Sequence, residues 1–157
     1  MLQKIQIVGI SLIVVIVVVI GIVLSLQSHV ATSAKDQAIV RDQVTSFGNY
    51  LKSVSLTVDH GLLKSDIQQA YGQFVTPELL SSWLADSTLA PGSATSSPWP
   101  DHIDIAQVSP QGQGYIVSGT IVMMSSTGIT GNVPVIVFLE NRGGKWLIST
   151  FQEQKSN

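Results

Sequence analysis

The densest group of chemically competent side chains in this 157-residue sequence is Asp101-His102-Ile103-Asp104. A histidine between carboxylates can pass a proton or help hold a metal ion. Strand alternation puts His102 and Asp104 on one face, opposite Ile103 and Ile105. If the isoleucine face is the core, both polar groups face solvent and the cluster is surface. Asp59-His60 stands before Gly61 and reads as a helix-end turn, where a histidine suits the negative end of a helix. It has no third ligand nearby. His29 sits beside a long apolar run, at a membrane interface. No three of these groups have a recognised metal-ligand spacing. The sequence has no cysteine, which removes disulfides, thiolate catalysis, cysteine-held metals and a lipoprotein anchor. No Gly-x-Ser-x-Gly, Ser-x-x-Lys or phosphate-loop pattern occurs. The sequence therefore assigns no catalytic, cofactor-binding or metal-binding residue, and expects a protein that is not an enzyme.

The aromatic residues Tyr71, Phe74, Trp83, Tyr115, Phe138, Trp146 and Phe151 could line an apolar pocket. In a small domain they are expected to form its core. Trp99 differs, because it stands between Pro98 and Pro100 in a polar stretch. It is either a lid over a pocket or an exposed contact residue, with the lid favoured since an exposed Trp is rarely left free. Trp99, His102 and Asp104 are thus the candidate ligand or partner contacts.

Something must position these groups, and the first such element is Ile5 to Leu26. It is almost wholly Ile, Val and Leu and carries no charge. Its helical length would be about 33 Å, enough to cross a ~30 Å hydrocarbon layer. The apolar run exceeds that of a secretory signal, which favours a retained anchor over cleavage near Thr32-Ser33-Ala34. Lys4 before the span places the N-terminus inside and the rest of the chain outside the cell membrane. The expected organisation is an anchor over 1–27, a juxtamembrane linker over 28–34, a domain over 35–152 and a polar tail over 153–157. Without Lys4 the chain carries 7 basic and 10 acidic side chains. That balance disfavours nucleic acid as a partner. Only 11% of residues are charged, against a usual ~25%, so the surface is built from Ser, Thr, Gln and Gly.

After the linker, Val40, Val44, Phe47, Leu51 and Val54 recur at helical spacing from a start near Lys35 or Asp36. Gly48 weakens this helix but permits close packing. Ser65-Asp66 is expected to cap a second, short helix with Ile67, Ala70, Tyr71 and Phe74 on one face. Thr76-Pro77-Glu78 starts a third, burying Leu79, Leu80, Trp83 and Leu84. Asp86 to Pro100 reads as a long loop. The period then changes to two, giving strands from His102, over Tyr115 to Met124, over Val133 to Glu140 and over Lys145 to Phe151. Ser109 to Gly114 and Thr127 to Asn132 read as connections, and Asn141-Arg142-Gly143-Gly144 as a hairpin turn. Segregated helices and antiparallel strands make an α+β domain. About three helices are expected to pack on a curved antiparallel sheet of about four strands, in a cone-like arrangement. In the last strand, alternation groups Trp146 with Ile148 and Thr150, and the Trp face is expected against the long helix near Phe47 and Leu51.

Three stretches carry a resemblance: the long helix, Tyr71-Gly72-Gln73-Phe74-Val75-Thr76-Pro77-Glu78-Leu79-Leu80, and the closing hairpin. The hairpin runs Val133-Pro134-Val135-Ile136-Val137-Phe138-Leu139-Glu140, then Gly144-Lys145-Trp146-Leu147-Ile148-Ser149. The pattern over roughly Lys35 to Gln152 resembles the nuclear transport factor 2-like superfamily, also called cystatin-like. Such domains host small-molecule enzymes, ligand binders and assembly modules. A membrane-anchored one resembles inner-membrane scaffold subunits of type IV secretion and conjugation machines. The expectation is an extracytoplasmic interaction or assembly module, attached to the bilayer by Ile5 to Leu26 and partnered by other envelope proteins or by itself. No cofactor is expected. The alternative is a domain that binds an apolar or polysaccharide-like ligand in the cone, and an enzyme is the least favoured reading.

Overall fold

The stripe Val40, Val44, Phe47, Leu51 and Val54 is buried to the last residue, with no exposed surface on any of them. In the computed structural model, which describes residues 33–57 and 59–154, the first helix (α1) occupies residues 33–48. Its last residue, Gly48, is pressed onto the sheet. A Cβ there would lie 2.9 Å from the backbone nitrogen of Ile103 and 3.1 Å from its side chain. A 3-10 turn over Leu51–Ser53 then continues the buried stripe. The anchor expected over Ile5 to Leu26, most of the linker and the tail beyond Gln154 lie outside the described residues. Among the described residues, no helix is long and apolar enough to cross a membrane.

Helix α2, His60–Tyr71, starts five residues before the expected Ser65-Asp66 cap. Asp59 takes the cap position, and its carboxylate accepts from the Gly61 backbone N–H at 2.9 Å. Gly61 made this stretch look like a break, but in a first turn glycine interrupts nothing that the cap does not already secure. The buried face, Leu63, Ile67, Ala70 and Tyr71, follows helical spacing. Helix α3, Pro77–Ala85, begins as expected, with the Thr76 hydroxyl accepting from the Leu79 N–H at 3.3 Å and Pro77 in the first turn. Trp83 is its buried anchor, while Leu79, Leu80 and Leu84 are half-buried against the core.

The expected loop from Asp86 to Pro100 is more ordered than its composition indicates. It opens with a 3-10 turn over Ser87–Leu89, capped by Asp86, and its last two residues already belong to a strand. Between them, Ser93 pairs with the backbone of Val54 and Leu56. The Tyr71 hydroxyl donates to the Pro91 carbonyl at 2.7 Å.

Four strands follow: β1 Trp99–Gln111, β2 Gly114–Ser125, β3 Gly128–Arg142 and β4 Lys145–Glu153. They form one antiparallel sheet in sequence order. The domain is α+β, with three helices and this sheet. The strands outrun the expected ones because all three connections are two-residue hairpins: Gly112-Gln113, Ser126-Thr127 and Gly143-Gly144. Gly143 and Gly144 both have positive φ, the backbone a tight hairpin of right-twisted strands requires. Strand β4 reaches one residue into the expected tail, where Glu153 pairs with Val135.

Four register shifts interrupt the ladders, leaving Asp101, Ala106, Thr130 and Ser149 as extra residues. Each bulge bends its strand and exchanges the faces of the residues beyond it. The Ser149 bulge corrects the expected alternation of β4. Phe151, not Thr150, shares the inner face with Trp146 and Ile148, because Phe151 is opposite buried Val137 and Ile148 is opposite buried Leu139. Phe151 is therefore the β4 ring that meets Phe47, at 5.4 Å between centroids. Trp146 is buried, but its ring partner is Tyr115, edge-on at 5.1 Å and 76°. The inner face and all three helices close one core, centred on Phe47 and its neighbours Tyr71, Phe74, Trp83 and Phe151.

Candidate functional site

Trp99, His102 and Asp104, singled out by type and spacing, lie on one surface: the outer face of β1. Trp99 is opposite Met124, His102 opposite Val122 and Asp104 opposite Thr120. Asp101 joins them because it is the bulge residue, freed from alternation. Its carboxylate contacts His102 Nδ1 at 2.9 Å, and Asp104 lies 3.3 Å from His102 Nε2. Lys52, from the 3-10 turn after α1, donates to Asp101 at 3.2 Å. These hydrogen bonds, from His102 first and then Lys52, hold the Asp101 carboxyl below the usual aspartate range. The side chains are solvent-accessible: His102 is 39% exposed and Asp104 73%. The alternation argument thus placed His102 and Asp104 on the solvent side, as found. Among the described residues, no group of three His, Asp or Glu side chains is arranged to hold a metal ion. Trp99 is the first residue of β1, half-buried, and is not in the loop.

An acid titration isolates the Asp101 contribution. Its folded pKa is depressed, so its stabilisation is present above the ordinary aspartate pKa and is lost as pH falls through the folded value. Asp101→Asn should lower Tm slightly at neutral pH, the loss of stability being under about 1 kcal/mol for an exposed pair. The difference from wild type should shrink to nothing in strong acid. A difference that persists or grows at low pH would show that Asp101 acts through something other than its charge.

The rest of the outer face mixes apolar side chains with polar ones, among them Ser118, Asn132, Glu140, Thr150 and Gln152. Ile116, Met124, Ile136, Phe138 and Leu147 are half-buried, and Val122 is 4% exposed. None of them joins the core, whereas their inner-face neighbours Met123, Val133 and Phe151 do. Strand pairing alone does not call for apolar residues there, since an open antiparallel face is normally polar. At one corner Ile129, 69% exposed, extends this surface beside Met124.

On the inner side, the aromatic cluster fills the space between helices and sheet. A hollow of about 190 Å³ remains where the 92–98 loop and the start of β1 cross the ends of the strands. Pro98, Pro100, Ile121, Met123 and Val133 wall it, and among the described residues Glu153 contributes the one ionisable group. Sequence reasoning missed Glu153 by assigning it to the tail. Only the Ser149 bulge, which that reading had no means to see, brings it to the inner face. Desolvation raises the Glu153 pKa even though the residue keeps access to solvent. Burial, and then the Glu153 charge, push the Tyr71 phenol far above its ordinary value, so it stays a neutral donor to Pro91. A separate hollow of about 230 Å³ lies among Tyr50, Ser53, Asp66, Gln69 and Ala70. No family model, curated protein or solved structure matches the chain.

Proposed function

We propose that this protein is a membrane-anchored, extracytoplasmic interaction module whose contact surface is the outer face of the sheet. The observation that carries the reading is the set of half-buried apolar side chains Ile116, Met124, Ile136, Phe138 and Leu147, outside the core on the face that also carries Trp99, His102 and Asp104. Aromatic and aliphatic residues interspersed with polar ones on an exposed sheet face suit a protein-binding surface. A second support is the inner face, where the aromatic cluster packs the core and, among the described residues, no set of polar groups converges as catalysis needs. Helices on one side of a bulged meander also fit a nuclear transport factor 2-like cone. Such a module would serve as a scaffold subunit of an envelope, secretion or conjugation complex, held to the bilayer by Ile5 to Leu26.

The test uses the full chain in its native membranes. Met124→Lys combined with Ile136→Lys places two charges in the patch, and the complex seen on a native gel should disappear. Leu62→Lys, on exposed α2 surface, should leave it intact. A complex that survives the double substitution, or a wild-type chain that runs only as a monomer, contradicts the reading. The topology has its own check. Protease added to intact cells or spheroplasts should remove the chain after Ala34, and full protection until lysis would reverse the orientation. A small-ligand domain is the second reading, favoured by the Glu153 hollow alone.

A further inference from the structure

We propose that the hollow beneath the 92–98 loop and the start of β1 binds a small apolar molecule carrying one ammonium group, paired with Glu153. Its walls come from Pro98 and Pro100 on one side and Ile121, Met123 and Val133 on the other, so the occupant's body must be apolar. Its polar recognition is narrow. Thr95 already donates its hydroxyl to the Pro98 carbonyl at 3.2 Å. Glu153 makes no hydrogen bond or ion pair among the described residues. A carboxylate with no side-chain partner among the described residues, open to solvent on one side and set against an apolar wall on the other, selects by charge. A cation satisfies it, a neutral group does so partly, and an anion is repelled. The same desolvation that raises the Glu153 pKa is offset when an ammonium pairs with it. Tyr71 does not compete, since its hydroxyl is committed to Pro91. At about 190 Å³ the hollow is smaller than the ~300–1,000 Å³ typical of drug-sized ligands. It suits a single ring with a short aminoalkyl arm. This inference is independent of the outer-face reading, which survives its failure.

The test is a titration of the full chain with benzylamine and with its neutral counterpart benzyl alcohol, followed by methyl NMR at Ile121 and Met123. Benzylamine should move these methyls and bind at least ~10-fold more tightly than benzyl alcohol, a difference of ~1.4 kcal/mol. Glu153→Gln should abolish that preference while leaving weak binding of both probes. Glu153→Asp, which keeps the charge but withdraws it by one methylene, should retain part of the preference and guards against a folding defect in the first variant. Equal affinity for the two probes overturns the proposal. So does an amine preference that persists in Glu153→Gln, or an absence of shifts at Ile121 and Met123.

Discussion

Phe47→Ala should unfold this domain more readily than any other single truncation. Phe47 has no exposed surface, and its ring meets Tyr71 at 5.0 Å, Phe151 at 5.4 Å, Phe74 at 6.1 Å and Trp83 at 6.4 Å. These partners come from α2, β4, the turn before α3, and α3, so one ring joins every layer. Truncation removes the transfer energy of the ring and leaves a cavity that four separate elements cannot close together. The expected cost is about 3–5 kcal/mol. Against a total of about 5–15 kcal/mol for a domain, this is a large fraction. Thermal denaturation should show Tm falling by on the order of 10 °C or more. Phe47→Leu keeps most of the volume and should cost much less. If the alanine variant melted within a few degrees of wild type, α1 would not pack on the sheet as described.

Trp146→Ala should come next, and its contrast with His102→Ala is the informative comparison. Trp146 is buried at the start of β4 and meets Tyr115 edge-on. Its loss removes a large apolar area and an aromatic pair, about 3 kcal/mol or somewhat more. Tyr115→Ala in the same background should add little, because the two rings support each other. His102 instead stands on the outer face with its ring partly in water. Truncating it leaves Asp101 its Lys52 partner and leaves Asp104 hydrated, so stability should change by no more than about 0.5 kcal/mol and Tm should barely move. The opposite order, with His102 structural and Trp146 dispensable, would mean that the two faces of the sheet have been exchanged.

Local signals dominate wherever the sequence read correctly. The α1 stripe repeats at helical spacing, Thr76-Pro77 combines a side-chain cap with a proline in the first turn, and Gly143-Gly144 offers the positive φ angles of a tight hairpin. Each is decided within a few residues. The misreadings share another cause. A bulge adds one residue and inverts every later position, yet Asp101 and Ser149 carry no composition that announces it. Ser126-Thr127 makes a hairpin without a central glycine, so β3 appeared to start late. Asp59 competes with Ser65-Asp66 as a cap, and the choice rests on Leu63 finding a place in the core. The candidate site divides in the same way. His102 and Asp104 follow simple alternation, whereas Glu153 reaches the inner hollow only through pairing with Val135 beyond a bulge.

The contact surface itself is tested most directly by site-specific photo-crosslinking in native membranes. A benzoylphenylalanine placed at Met124 or Phe138 should give a discrete crosslinked band. The same probe at Leu62, 63% exposed on α2, should give none. A band from Leu62 with silence at both sheet positions would contradict the outer face as the surface this protein uses.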